Sequence, residues 1–155
     1  MPHRALSTLA PCLVLSLLLT FPDAVLAVGS GPVPTPAAPR SAEADYNAGL
    51  QAKAAQRFPA AASSFRRAVE VRPNFPEAWN ELGFALRQTG KYEEALQAYD
   101  QALKLRPNFP EAMEYLGEAY VKLGRLDDAR AILERLKPLD AGRAQELDQA
   151  IRTGR

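Results

Sequence analysis

Arg72-Pro73-Asn74-Phe75-Pro76-Glu77-Ala78 recurs unchanged as Arg106-Pro107-Asn108-Phe109-Pro110-Glu111-Ala112. The offset is 34 residues, and residues 72–105 match 106–139 at 13 of those 34 positions. A fixed period of this size marks a chain of stacked helical units, none of which buries its apolar face alone. Working outward, the prolines act as punctuation. Pro76 and Pro110 suit the first position of a helix, where a missing N–H costs nothing. Glu77 and Glu111 follow in the first turn, where the helix dipole favours an acid.

Between the two copies, apolar residues return at helical spacing. Trp79, Leu82, Phe84, Ala85 and Leu86 predict a helix over about 76–89, ended by Gly90. Tyr92, Ala95, Leu96, Ala98, Tyr99, Ala102, Leu103 and Leu105 predict the next, which stops before Pro107. Counted from Pro76, the pattern Trp79, Leu82, Gly83, Leu86, Ala95, Tyr99, Ala102 and Pro107 resembles the tetratricopeptide repeat, a helix-turn-helix unit of 34 residues.

The resemblance implies an all-α, right-handed α-solenoid of three such repeats plus a C-terminal capping helix. It covers about 42–152. The units are 42–75, 76–109 and 110–139, followed by 140–155 as cap and tail. Gly83, Ala95 and Ala102 then mark close helix approach, with Trp79, Leu82, Leu86 and Tyr99 filling the space. The third unit keeps Met113, Leu116, Gly117, Tyr120, Ala129 and Leu133. It departs at Leu136, where a small residue belongs, and Pro138 shortens its second helix. The first unit keeps Gly49, Ala61, Phe65, Ala68 and Pro73 but has Asp45, Ala48 and Ala52 where large apolar residues are usual. End repeats are expected to be atypical, since one face meets water. Asp140 can cap a last helix over about 141–152, whose apolar stripe is Ala144, Leu147 and Ile151.

The N-terminus reads as a signal peptide over 1–27. Arg4 precedes the apolar run Leu13–Leu19, and Val25-Leu26-Ala27 offers a cleavage site. Retention as an N-terminal anchor is the alternative. Residues 28–41 hold four prolines and two glycines and read as an extended linker. The expected location is exported, with the bacterial periplasm favoured over secretion or N-terminal anchoring.

Composition removes whole classes of chemistry. Cys12 and His3 are the only cysteine and histidine, so residues 28–155 contain neither. Thiolate nucleophiles, Ser-His-Asp triads and His- or Cys-ligated zinc are excluded there. The formal charge of the whole chain is +1, which gives no field to attract nucleic acid. No catalytic residue, cofactor or metal is expected.

Function is therefore sought on the concave groove that first helices line in this family. The groove positions are Glu43, Tyr46, Asn47, Leu50 and Lys53, then Glu77, Asn80, Glu81, Phe84, Arg87 and Gln88, then Glu111, Glu114, Tyr115, Glu118 and Lys122. One subset of the family grips a C-terminal carboxylate with Lys, Asn and Arg. At the matching positions this chain has Tyr46, Leu50, Glu81, Glu111 and Tyr115, so that clamp is absent. In its place stands an apolar floor of Tyr46, Leu50, Phe84 and Tyr115, ringed by Glu77, Glu81, Glu111, Glu114 and Glu118. Such a groove suits a protein or peptide segment with apolar anchors and Lys or Arg flanks. The helix dipole offers a second explanation for Glu77 and Glu111, and exposed Glu is common on any helix. Trp79, Tyr92, Tyr99 and Tyr120 are expected in the repeat core, and Arg66-Arg67 on the convex, solvated face. The leading function is a non-catalytic adaptor. The alternative is a self-associating, homo-oligomeric envelope component that pairs through its worn first unit.

Overall fold

The computed structural model describes residues 41–154; the expected signal peptide and nearly all of the linker lie outside the described residues. Among the described residues seven α-helices follow one another: α1 (Ala42–Ala54), α2 (Phe58–Val71), α3 (Pro76–Gln88), α4 (Tyr92–Leu105), α5 (Pro110–Lys122), α6 (Leu126–Leu136) and α7 (Ala141–Thr153). No strand occurs among the described residues. Consecutive helices pack on each other, α3 also meets α5, and α5 also meets α7. The result is an α-solenoid in which α1, α3, α5 and α7 follow one face.

The helix limits have local causes. Pro59, Pro76 and Pro110 open or nearly open α2, α3 and α5, where a missing N–H is harmless. Ser41 caps α1 by accepting from the Ala44 amide, and Asp140 caps α7 by accepting from the Arg143 amide. The turns inside the second and third units need a left-handed residue, supplied by Gly90 (φ 77°) and Gly124 (φ 71°). At the same repeat position the first unit has Gln56, held at φ 55° with no glycine to relieve it.

The core runs the length of the array. Phe65, Tyr99, Met113, Leu116, Leu136 and Leu147 are its largest fully buried side chains. In the first two units a ring of the second helix lies on a glycine of the first. A Cβ on Gly49 would stand 2.5 Å from the Phe65 ring, and one on Gly83 would stand 2.6 Å from Tyr99. The third unit solves the same contact differently. Its counterpart of Phe65 and Tyr99 is Leu133, and the group over Gly117 is Leu147 of α7, 2.5 Å from the place a Cβ would take. So α7 completes the third unit's core as well as covering its end.

The worn first unit is also explained. Asp45, at the position of Trp79, is buried and accepts from Arg67 Nε at 2.7 Å. Arg67 further donates to Ser63 and Ser64. This corrects the expectation for the basic pair: Arg66 is exposed, whereas Arg67 belongs to an intra-unit network. Leu136 is fully buried, so the large residue in place of a small one is absorbed where α6 ends.

Two stability changes follow. Gln56→Gly is expected to stabilise the array by about 0.5–1 kcal/mol, read as a higher urea midpoint, because it removes left-handed strain. Leu147→Ala is expected to cost about 2–4 kcal/mol by opening a cavity over Gly117. Hydrogen exchange should show that loss in α7 and α5 before α1 and α2.

Candidate functional site

The face lined by α1, α3 and α5 gathers the aromatic residues expected there. Tyr46 on α1 is half-buried, with its ring 4.8 Å from Phe75 and 5.7 Å from Phe65. Phe84 on α3 lies 5.5 Å from Tyr115 on α5 and 6.1 Å from Phe58, the first residue of α2. Leu50 packs against the same core and stays half-buried. Two cations rest on these rings. Lys53 Nζ is 4.3 Å from the Phe84 centroid, and the Arg87 guanidinium is 5.2 Å from that of Tyr115. The rings thus form two clusters, Tyr46 with Phe65 and Phe75, and Phe84 with Phe58 and Tyr115, whose groove-side members are only partly covered.

The acids are placed differently from the expectation. Glu81 is buried and accepts from Lys53 of α1 at 2.7 Å. Glu118 pairs with Arg87 of α3 at 2.7 Å. Glu77 accepts from Arg106, and Glu114 accepts from Arg143 of α7. Of the five acids expected around the floor, only Glu111 has no ion-pair partner among the described residues. The acidic rim is therefore largely neutralised from within.

Asn80 and Glu114 are corrections in a stronger sense. Both are expected to face the groove, but they are 1% and 3% exposed. First helices stand close enough for Lys53 and Glu81, or Arg87 and Glu118, to bond across them. That spacing leaves a short side chain on the middle helix little access to solvent. Glu114 is covered because α7 lays Arg143 on it.

Sequence reasoning missed the arginines of the repeated segment. Arg72 stacks 3.7 Å from the Phe75 centroid and donates to Glu43; Arg106 stacks 4.6 Å from Phe109 and donates to Glu77. A signal was present, since each Glu precedes its Arg by 29 residues in both units. Trp79, half-buried, donates from Nε1 to the Pro73 carbonyl at 2.8 Å, consistent with a structural place. Tyr99 is fully buried.

The second-helix side carries a different kind of feature. A cleft of about 390 Å³ opens between α2 and α4 over Trp79 and Leu82, bridged by Arg66 and Glu94 at 3.1 Å. Among the described residues no group of three or more His, Cys, Asp or Glu is placed to hold a metal. No described helix is long and apolar enough to cross a membrane.

Models of the tetratricopeptide repeat match residues 64–97 and 111–141, and a further model described as a TPR repeat matches 85–124. Together they run without a gap from 64 to 141, half of the chain. The chain belongs to the tetratricopeptide repeat family. This tetratricopeptide array is similar to several solved domains. One is the TPR2B domain of yeast Sti1 in its pHsp70 complex (TM-score 0.68, 20% identity, 73% of this chain and 94% of that one). Another is the TPR domain of Arabidopsis OM64 (0.68, 17%, 72% and 94%). A third is the first TPR domain of Spaghetti (RPAP3) bound to an HSP90 peptide (0.65, 18%, 72% and 93%). At these identities the likeness is one of fold. No curated protein matches the chain in sequence.

The electrostatics of the array single out Glu114. Burial, and then the neighbouring Glu146 carboxyl, push it up to about 7, against the pull of Arg143. The native state therefore keeps a proton that the unfolded chain releases near the usual carboxylate pKa. Stability should be fullest below that value and fall as pH rises towards 7. Glu114→Gln is expected to remove most of that fall, on the order of 2 kcal/mol between pH 5 and pH 8. Urea titrations at the two pH values measure it.

Proposed function

We propose that this chain is a non-catalytic adaptor that binds a peptide or protein segment along the face of its first helices. The observation that carries this reading is the row of half-buried rings Tyr46, Phe84 and Tyr115 spanning all three units. A row of that kind matches the alternating anchors of an extended or helical ligand. Solved arrays of the same fold in complex with peptides support this mode of use. The chemistry of the ligand must differ from those cases. The five positions at which the carboxylate-gripping subset places Lys, Asn and Arg hold Tyr46, Leu50, Glu81, Glu111 and Tyr115.

The array works in an exported compartment on this reading, with the periplasm favoured. The support is the sequence pattern of 1–27 together with a proline-rich spacer. A self-associating role draws less support. The first unit's counterparts of the buried Ala78, Leu82 and Ala85 are Ala44, Ala48 and Gln51, all exposed. They are small or polar and present little apolar surface for a second copy.

Capture from an envelope extract by the immobilised chain tests the adaptor reading, with Phe84→Ala/Tyr115→Ala as the paired bait. The double variant is expected to lose at least about tenfold of the captured partner, since buried aromatics dominate such interfaces. Circular dichroism must show it folded. Equal capture by both baits removes the ring row as the binding site. Cell fractionation with an antibody to the array checks the location.

A further inference from the structure

Two of the three units repeat one interaction: Glu43 with Arg72 and Glu77 with Arg106, each Arg seated on the Phe three residues after it. The third unit should pair Glu111 with residue 140, but residue 140 is Asp. Phe75 and Phe109 have Arg143 as their counterpart, and Arg143 is bonded to Glu114 and lies 3.6 Å from Asp140. Glu111 thus keeps the repeat's acid without the repeat's cation. The other expected acids of this face already have theirs, so among the described residues Glu111 is its one acid without an ion-pair partner.

The place of that charge matters. Its field reaches the Tyr115 and Tyr46 hydroxyls, both raised first by burial and then by neighbouring acids that include Glu111, and the Glu81 carboxyl, raised by burial against the pull of Lys53 with a smaller push from Glu111. Arg143 also feels it, as a cation already engaged elsewhere. A lone carboxylate one turn before Tyr115 on α5 offers an ion pair and a cation–π surface together.

We infer that Glu111 selects one Lys or Arg side chain of the bound segment, seated beside the Tyr115 ring one turn along the same helix. The proposal rests on the groove reading and adds a charge requirement at one position. The ligand is an apolar segment carrying a basic residue, opposite in sign to the carboxylate ligands of the clamp subset.

A random twelve-residue peptide display library, panned on the full chain and on Glu111→Gln and Glu111→Lys, tests this. The full chain should enrich peptides with one Lys or Arg among apolar residues. Glu111→Gln should keep the apolar preference and lose the basic one; Glu111→Lys should turn it acidic. For a selected peptide, replacing its basic residue by norleucine should weaken binding about fivefold to the full chain and leave binding to Glu111→Gln unchanged. Basic enrichment that persists equally in Glu111→Gln overturns the inference and leaves the groove reading standing. If no peptide is enriched by the full chain, or if enrichment survives Phe84→Ala/Tyr115→Ala, the groove reading falls and this inference with it.

Discussion

The array depends on how closely the two helices of a unit approach. Where a large side chain of the second helix must lie on the first, only a glycine leaves room: Phe65 on Gly49 and Tyr99 on Gly83. That contact sets the interhelix distance, and the distance places α1, α3 and α5 near enough to bond to one another. In the third unit Leu133 stands where the ring would be, and α7 supplies Leu147 to the glycine instead. The capping helix is therefore part of the third unit's packing. Without it, Gly117, Leu116 and Leu133 would border a void, and the buried Glu114 would lose its cation.

The same closeness accounts for the charge pattern. Long side chains on neighbouring first helices meet across the gap, so Lys53 finds Glu81 and Arg87 finds Glu118. Partly exposed pairs of this kind contribute little stability each. Their consequence is that the face presents rings and almost no free charge. The single break in the pattern, at Glu111, coincides with the end of the repeat, where Asp140 serves as the cap of α7 rather than as a partner for the acid. One residue cannot be both the helix cap and the missing arginine.

The ends of the array are treated unequally. The C-terminal end needs a helix of its own because its last unit is apolar there. The N-terminal end instead has Ala44, Ala48 and Gln51 at positions that are buried one unit later, and it folds Asp45 back onto Arg67. Substitutions that look like decay within the repeat are what an end in water requires.

The architecture was legible in the chain because it is periodic. The repeated segment, Gly83 against Tyr99, the proline openings and the cap at Asp140 all follow from local rules of helix start, stop and close approach. The aromatic half of the candidate face was legible for the same reason, since repeat position fixes which side of a helix a residue takes. The acidic half was not. Glu77, Glu81, Glu114 and Glu118 look alike along the chain, and their difference lies in Arg106, Lys53, Arg143 and Arg87, which lie on or just after other helices, 28 to 31 residues away. The chain by itself determined the fold, the number of units and the row of rings. Apart from the 29-residue Glu–Arg spacing that the repeat carries and Asp140 breaks, tertiary structure decided which acids are neutralised and which are buried, because those outcomes depend on distances between helices that no local pattern encodes.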